Sequence, residues 1–304
     1  MEQTFSHGKI ILFGEYAVLE GNDAVCLPLA TGQKLEIQKN DHQKICWQWS
    51  YKNTIIADFS LDPITLQPHE ISQGDPAWAA GLITAIRKQN NIFLTDSGYN
   101  VRFINHFPHD WGLGSSSATI ASLCRIAGAD PYIVNDQVMG GSGADIACTD
   151  KKNWFVYRKK KSIPQTWFIP FDFPFQQHVV FVYSGQKQAT AEHLKQVKEK
   201  SERKHFNASE INTLVYRCFS SNTVAELMSN IQMHEQLISE HTGHSPLGGK
   251  FPDFNGQIKS LGAWGGDFFM AVSLENQSDV KNYFQKKGFG LCFTWDEFLF
   301  LEKF

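Results

Sequence analysis

The sequence predicts an α+β chain of two domains, and three observations predict it. Strand-like and helical segments mix in both halves. The chain has 304 residues, more than one domain usually takes, and its 42% apolar and 13% aromatic content supplies enough for sizeable cores. The first segments, 9–19 (KIILFGEYAVL) and 23–38, are β-rich, with turn chemistry at Gly21-Asn22 between them. Segment 44–50 (KICWQWS) alternates apolar and polar residues and predicts a strand partnered by 54–61. Asp75-Pro76 opens a helix, since Asp caps and Pro suits the first helical position, with Trp78, Leu82, Ile83 and Ile86 as its apolar stripe. Residues 98–108 form another strand and lead into a glycine–serine loop.

Beyond Asp145, segments 153–158 and 178–185 are strand-like. From Ala189 a long helical tract begins; 191–204 is highly charged and solvent-facing, while 209–219 and 223–243 have helical spacing, the latter through Val224, Met228, Ile231 and Ile238 and ending at Gly243. The glycine-rich 259–267, a strand at 268–274, a helix near 278–287 and a strand at 291–295 close the chain. The domain boundary falls between 160 and 178, giving domains 1–165 and 175–304.

A net charge of −3 gives no electrostatic case for nucleic acid or an anionic membrane surface. The basic run 158–161 (RKKK) is expected to be a solvated turn. No secretory signal is visible, because Glu2, Lys9 and Glu15 interrupt the N-terminal stretch, and no apolar run approaches the roughly 20 residues of a membrane span. Six scattered cysteines (26, 46, 124, 148, 218 and 292) without a CxxC pair suit reduced thiols and a cytoplasmic protein. His241 and His244 sit at a helix end without further ligands nearby, which argues against a metal site there.

The loop 110–117 (DWGLGSSS) joins two glycines and three serines to a helix start. Glycine allows close backbone approach, and a helix N-terminus presents unpaired N–H groups and a favourable dipole, an arrangement that binds phosphate. Taken alone, the loop is equally a tight turn with a serine cap. A P-loop, a dinucleotide fingerprint and a nucleophile elbow all fail on spacing.

Three glycine-rich elements occur in order, 8–21 (GKIILFGEYAVLEG), 110–117 and 259–272 (KSLGAWGGDFFMAV), with 140–147 (GGSGADIA) lying before the last. This set resembles the GHMP kinases, nearest the mevalonate and phosphomevalonate branch and a bacterial subgroup with a Gly-x-Asp-Ile-Ala motif. The resemblance runs from residue 8 to 272. It implies the GHMP kinase fold, with an N-terminal domain similar to ribosomal protein S5 domain 2 and a ferredoxin-like C-terminal domain, ATP and substrate meeting between them.

By that resemblance Gly112, Leu113, Gly114, Ser115, Ser116 and Ser117 wrap the ATP phosphates, with Ser116 also approaching Mg²⁺. Asp145 takes the proton of the substrate hydroxyl, and Lys9 pairs with Asp145 and the transferring phosphate; a carboxylate and a cation suit a reaction that needs mainly positioning and charge neutralisation. Glu15 and Tyr16 lie near substrate, Lys187 and Thr190 are further substrate candidates, and Gly262, Gly265, Gly266 and Asp267 form the third motif. The interval before Asp145 is short and lacks the relatives' magnesium-binding glutamate, so Asp136 is the expected substitute. His7 and Trp264 also depart from the pattern. The implied activity is ATP- and Mg²⁺-dependent phosphorylation of mevalonate or 5-phosphomevalonate in isoprenoid precursor biosynthesis. The lean is to phosphomevalonate, whose extra phosphate would need a cation such as Lys187, Arg102 or Lys259. The alternatives are a kinase-like binding or regulatory protein without turnover and a kinase for another alcohol, a sugar or homoserine. A monomer or homodimer acting on a small molecule, without nucleic acid or membrane partners, completes the expectation.

Overall fold

The computed structural model describes residues 1–170, 172–185, 205–262 and 266–301. Strands β1 (Glu2–Phe13) and β2 (Ala24–Asn40) form a long antiparallel pair. Their register slips between His7 and Lys9, a bulge that re-aims the Lys9 side chain. β1 ends at Phe13 because Gly14 turns at φ +82°, so close to the neighbouring chain that a Cβ would lie 2.1 Å from the Asp23 carbonyl oxygen. The segment 9–19 is therefore a strand followed by a 3₁₀ turn (Ala17–Glu20), not one β-rich run.

β3 (Ile45–Tyr51) and β4 (Thr54–Leu61) pair antiparallel, and β5 (Pro68–Gln73) adds an exposed edge. Asp75 accepts from the Trp78 N–H at 3.0 Å and caps helix α1 (Pro76–Arg87). β6 (Gly98–Asn105) lies between β3 and β2, parallel to β3. β7 (Phe155–Lys160) and β8 (Ile163–Phe168) complete an eight-stranded sheet of order β5-β4-β3-β6-β2-β7-β8, with β1 on β2. Helices α2 (Ser115–Ala127), α3 (Pro131–Val138) and α4 (Ala144–Cys148) follow β6. Asp130 and Pro131 start α3 by the same chemistry that starts α1.

The second sheet is wholly antiparallel, in the order β10-β11-β9-β12, from β9 (Val179–Tyr183), β10 (Gln257–Ser260), β11 (Phe268–Val272) and β12 (Cys292–Thr294). Helices α5 (Ala208–Phe219), α6 (Val224–Thr242), α7 (Gln277–Lys286) and α8 (Trp295–Leu299) accompany it. Gly243, at φ +73°, ends α6. The charged segment 191–204 lies outside the described residues.

One apolar cluster takes Phe13, Leu29 and Phe107 from the first sheet's half, with Phe181, Met270, Ile231 and Phe298 from the second. The two sheets thus share a core, and the surface above it is where the glycine motifs converge. The basic run is not a solvated turn throughout: Arg158 and Lys159 lie on β7, where Arg158 forms a two-pronged ion pair with buried Asp23 at 2.6 and 2.7 Å. None of the described helices is long and apolar enough to cross a membrane.

Candidate active site

Lys9 leaves the β1 bulge towards the start of α4, and its Nζ lies 3.0 Å from Asp145 Oδ2. Gly143, at φ +81°, caps α4 and turns Asp145 into the helix's first turn. Burial pulls the Lys9 ammonium's pKa down, but Asp145, with Cys148 and Asp267 beyond it, more than offsets this, so the net direction is up. Lys9 therefore stays charged.

The glycine–serine loop is stitched to the same strand. Lys9 N–H donates to the Leu113 carbonyl at 2.9 Å, and the Leu113 side chain is sealed in the core. Gly114 (φ +91°) caps α2, and a Cβ there would strike Lys9 Cγ at 2.7 Å. At Gly112 (φ +65°) a Cβ would fall 2.0 Å from Asp267 Oδ2, so the third motif touches the loop through that carboxylate. Trp111 fastens the loop to the second sheet, its ring packing on Tyr183, Phe268 and Phe293.

The three serines do different things. Ser115 turns inward, accepting from Asn105 Nδ2 at 3.4 Å and donating to the His109 carbonyl at 3.3 Å. Ser116 is half-buried at the helix start, and Ser117 lines a cleft of about 170 Å³. Lys9, Asp145, Glu15, Tyr16 and Gly262 line that cleft too. Gly140 to Gly143 of the motif at 140–147 line it as well, while Ile11, Val18, Leu19, Asn135 and Met139 were not anticipated from the sequence. Nothing in their local pattern distinguishes them from ordinary strand and helix residues. Tyr16 holds an uncommon φ of +61° at 5% exposure, backbone strain beside the cleft.

Glu15 lines the cleft and is held by a buried cation. Its Oε1 accepts from Lys259 Nζ, which also bonds Glu235 Oε1 at 3.0 Å, and all three side chains are buried. Ser260 donates to Glu235 Oε2 at 2.8 Å, and the Gly14 N–H donates to His234 Nε2 at 3.0 Å. Burial, aided by Lys259, holds the His234 pKa well below the ordinary range, so the ring is neutral. Ligand atoms of Glu15, His234 and Glu235 lie within 4.8 Å of one another, a spacing a metal could use. Lys259, however, already bonds both carboxylates and supplies the balancing charge. A signal for this network exists in the sequence: Ile231, His234, Glu235 and Ile238 share helical spacing, which puts a histidine and a glutamate on the core face of α6.

Other expected residues lie elsewhere. Asp136 is bound by Lys159 at 2.8 and 2.9 Å and is not in the cleft lining, because α3 turns it towards β7. Arg102 is exposed on β6 and Lys259 is sealed in its ion network. Gly266 lies behind the loop, its carbonyl accepting from the Ser184 hydroxyl at 2.5 Å. Lys187, Thr190, Trp264 and Gly265 lie outside the described residues. His241 pairs with Glu20 at 3.1 Å and His244 bonds the Thr242 carbonyl, so the two serve separate local contacts.

No protein-family model matches the sequence, and no curated protein matches it. Solved structures do. The Methanococcus jannaschii mevalonate kinase is 19% identical, with a TM-score of 0.66 over 96% of each chain. The Streptococcus pneumoniae phosphomevalonate kinase, in complex with phosphomevalonate and AMPPNP, is 16% identical with a TM-score of 0.68, covering 96% of this chain and 99% of that one. The Lactococcus lactis galactokinase, complexed with galactose, is 13% identical with a TM-score of 0.63, covering 96% and 92%. The chain has the fold of the GHMP kinases, as its motifs led one to expect.

Proposed function

We propose that this chain is an ATP-dependent kinase of a small alcohol. The observation that carries the reading is the Lys9–Asp145 pair, 3.0 Å apart, set between a glycine–serine loop at a helix N-terminus and a cleft. In this reading the γ-phosphate sits against the N–H groups at the start of α2, and Gly112 and Gly114 let Asp267 and Lys9 close on the loop. The acceptor oxygen attacks phosphorus as the bond to ADP breaks, and its proton passes to the Asp145 carboxylate. Lys9 offsets charge on the transferring group and faces the Asp145 carboxylate across 3.0 Å.

Magnesium takes oxygen ligands and keeps most of its waters, and half-buried Ser116 at the start of α2 would offer it a hydroxyl oxygen beside those of the phosphates. The ion would supply charge neutralisation across the phosphates. Asp136, engaged by Lys159, is not among these donors.

Mevalonate and 5-phosphomevalonate are the acceptors that the motif resemblance favours. The second needs an additional cation, and of the three considered, Lys259 is ion-paired and buried, Arg102 is outside the cleft lining, and Lys187 is outside the described residues. A coupled assay of ADP release with mevalonate, phosphomevalonate, galactose and 3-methylbutan-1-ol tests the function: acceptor-dependent release abolished in Asp145→Asn supports it. No acceptor-dependent release would instead favour a binding protein without turnover.

A further inference from the structure

The cleft beside Lys9 and Asp145 is built of apolar surface. Ile11 from β1, Val18 and Leu19 from the 3₁₀ turn, and Met139 at the end of α3 face it. Leu19 and Met139 are 41% and 51% exposed at its rim, large apolar side chains held open to solvent on two different elements. Two of the polar side chains in the lining, Asn135 and Ser142, are engaged within the protein. Asn135 Nδ2 donates to the Gly140 carbonyl at 2.7 Å, and Ser142 accepts from the Ala144 N–H at 3.2 Å.

Charge points the same way. Lys9 is the only cation among the described lining residues, and Asp145 balances it. The Glu15 carboxylate, also in the lining, draws its positive partner from the buried Lys259. A carboxylate or phosphate carried by the acceptor would compete with ATP for Lys9 while facing Asp145, and desolvating an anion without a partner is costly. The cleft volume of about 170 Å³ is close to that of the ~150 Å³ apolar cavities that take benzene, so it admits a body of about six heavy atoms.

We propose that the acceptor is an uncharged alcohol with a hydrocarbon body of that size, seated on Ile11, Val18, Leu19 and Met139 with its hydroxyl at Asp145. This rests on the kinase reading above and takes an acceptor class other than the anionic ones that the motif resemblance favours. In the step, the alcohol oxygen forms the new bond to the γ-phosphorus, the bond between that phosphorus and the bridging oxygen of ADP breaks, and the hydroxyl proton goes to Asp145. The products are an alkyl monophosphate and ADP.

Initial rates with ATP, Mg²⁺ and 3-methylbutan-1-ol or hexan-1-ol are to be compared with those for mevalonate and 5-phosphomevalonate. The expected result is a kcat/KM about tenfold or more higher for the uncharged alcohols, lowered about tenfold by Leu19→Lys or Met139→Lys, as one misplaced charge in an apolar pocket would do. A preference for either anionic acceptor would overturn the inference and leave the kinase reading standing. Ligand-observed NMR with 3-methylbutan-1-ol separates the remaining cases. Saturable binding that Leu19→Lys weakens, without phosphoryl transfer to any alcohol, would overturn the kinase reading and the acceptor role with it. No saturable binding would overturn the hydrocarbon site itself.

Discussion

Lys259 on β10 and Glu15, just past the end of β1, meet in a buried ion pair that joins the second sheet to the first glycine motif. Glu235 and Ser260 complete the network from α6 and β10, and His234 beside it accepts from Gly14. The contact fixes the turn that carries Tyr16 into the cleft, so it acts on the site by position.

Removing the cation should therefore be costly. Lys259→Met leaves two buried carboxylates without their shared partner, and a loss of about 3–5 kcal/mol is expected. Urea unfolding of the purified variant measures it; a change under about 1 kcal/mol would mean the network contributes little.

The same network gives a pH dependence. Burial lifts the Glu15 carboxyl from an ordinary 4.5 to about 7, with Lys259 opposing the rise and Glu235 adding to it. A folded pKa above the unfolded value gives a contribution fully present below about 4.5 and lost as pH rises through about 7. The stability of the wild type relative to Glu15→Gln should therefore shrink across that window. Denaturation midpoints at several pH values read it directly, and a difference that widened with pH would reverse the sign.

Asp145→Asn should keep the fold and nucleotide binding while kcat falls by roughly 10²–10⁴, the scale of losing a general base. Turnover near the wild-type rate would remove Asp145 from the chemistry.

Gly114→Val should abolish nucleotide binding for two reasons. Its φ of +91° is strained for a β-branched residue, and its Cβ would meet Lys9 Cγ at 2.7 Å. Titration with a fluorescent ATP analogue, alongside a circular dichroism spectrum to confirm folding, decides whether the loop holds phosphate.

Ser116→Ala should raise the magnesium concentration needed for half-maximal rate and slow turnover, since it deletes a hydroxyl oxygen and leaves the backbone of α2 in place. An unchanged magnesium dependence would place the ion elsewhere.

Local elements and the motif set are legible in the order of the residues alone. Asp75-Pro76, Gly243 and the alternation in 44–50 act through neighbours a few residues away, so α1, the end of α6 and β3 form where those residues indicate. The Lys9–Asp145 pairing was legible only through the motif resemblance, because nothing local links a strand residue to a helix start so far along the chain. Other assignments depended on packing that no local pattern encodes. Asp136 was expected near magnesium, yet the orientation of α3 delivers it to Lys159. Lys259 was a candidate for an acceptor's phosphate, yet it is sealed against Glu15, 244 residues away in the chain. A buried charge must find its counter-charge wherever the closed core brings one within reach, and that partner is fixed only once the two sheets have packed on each other.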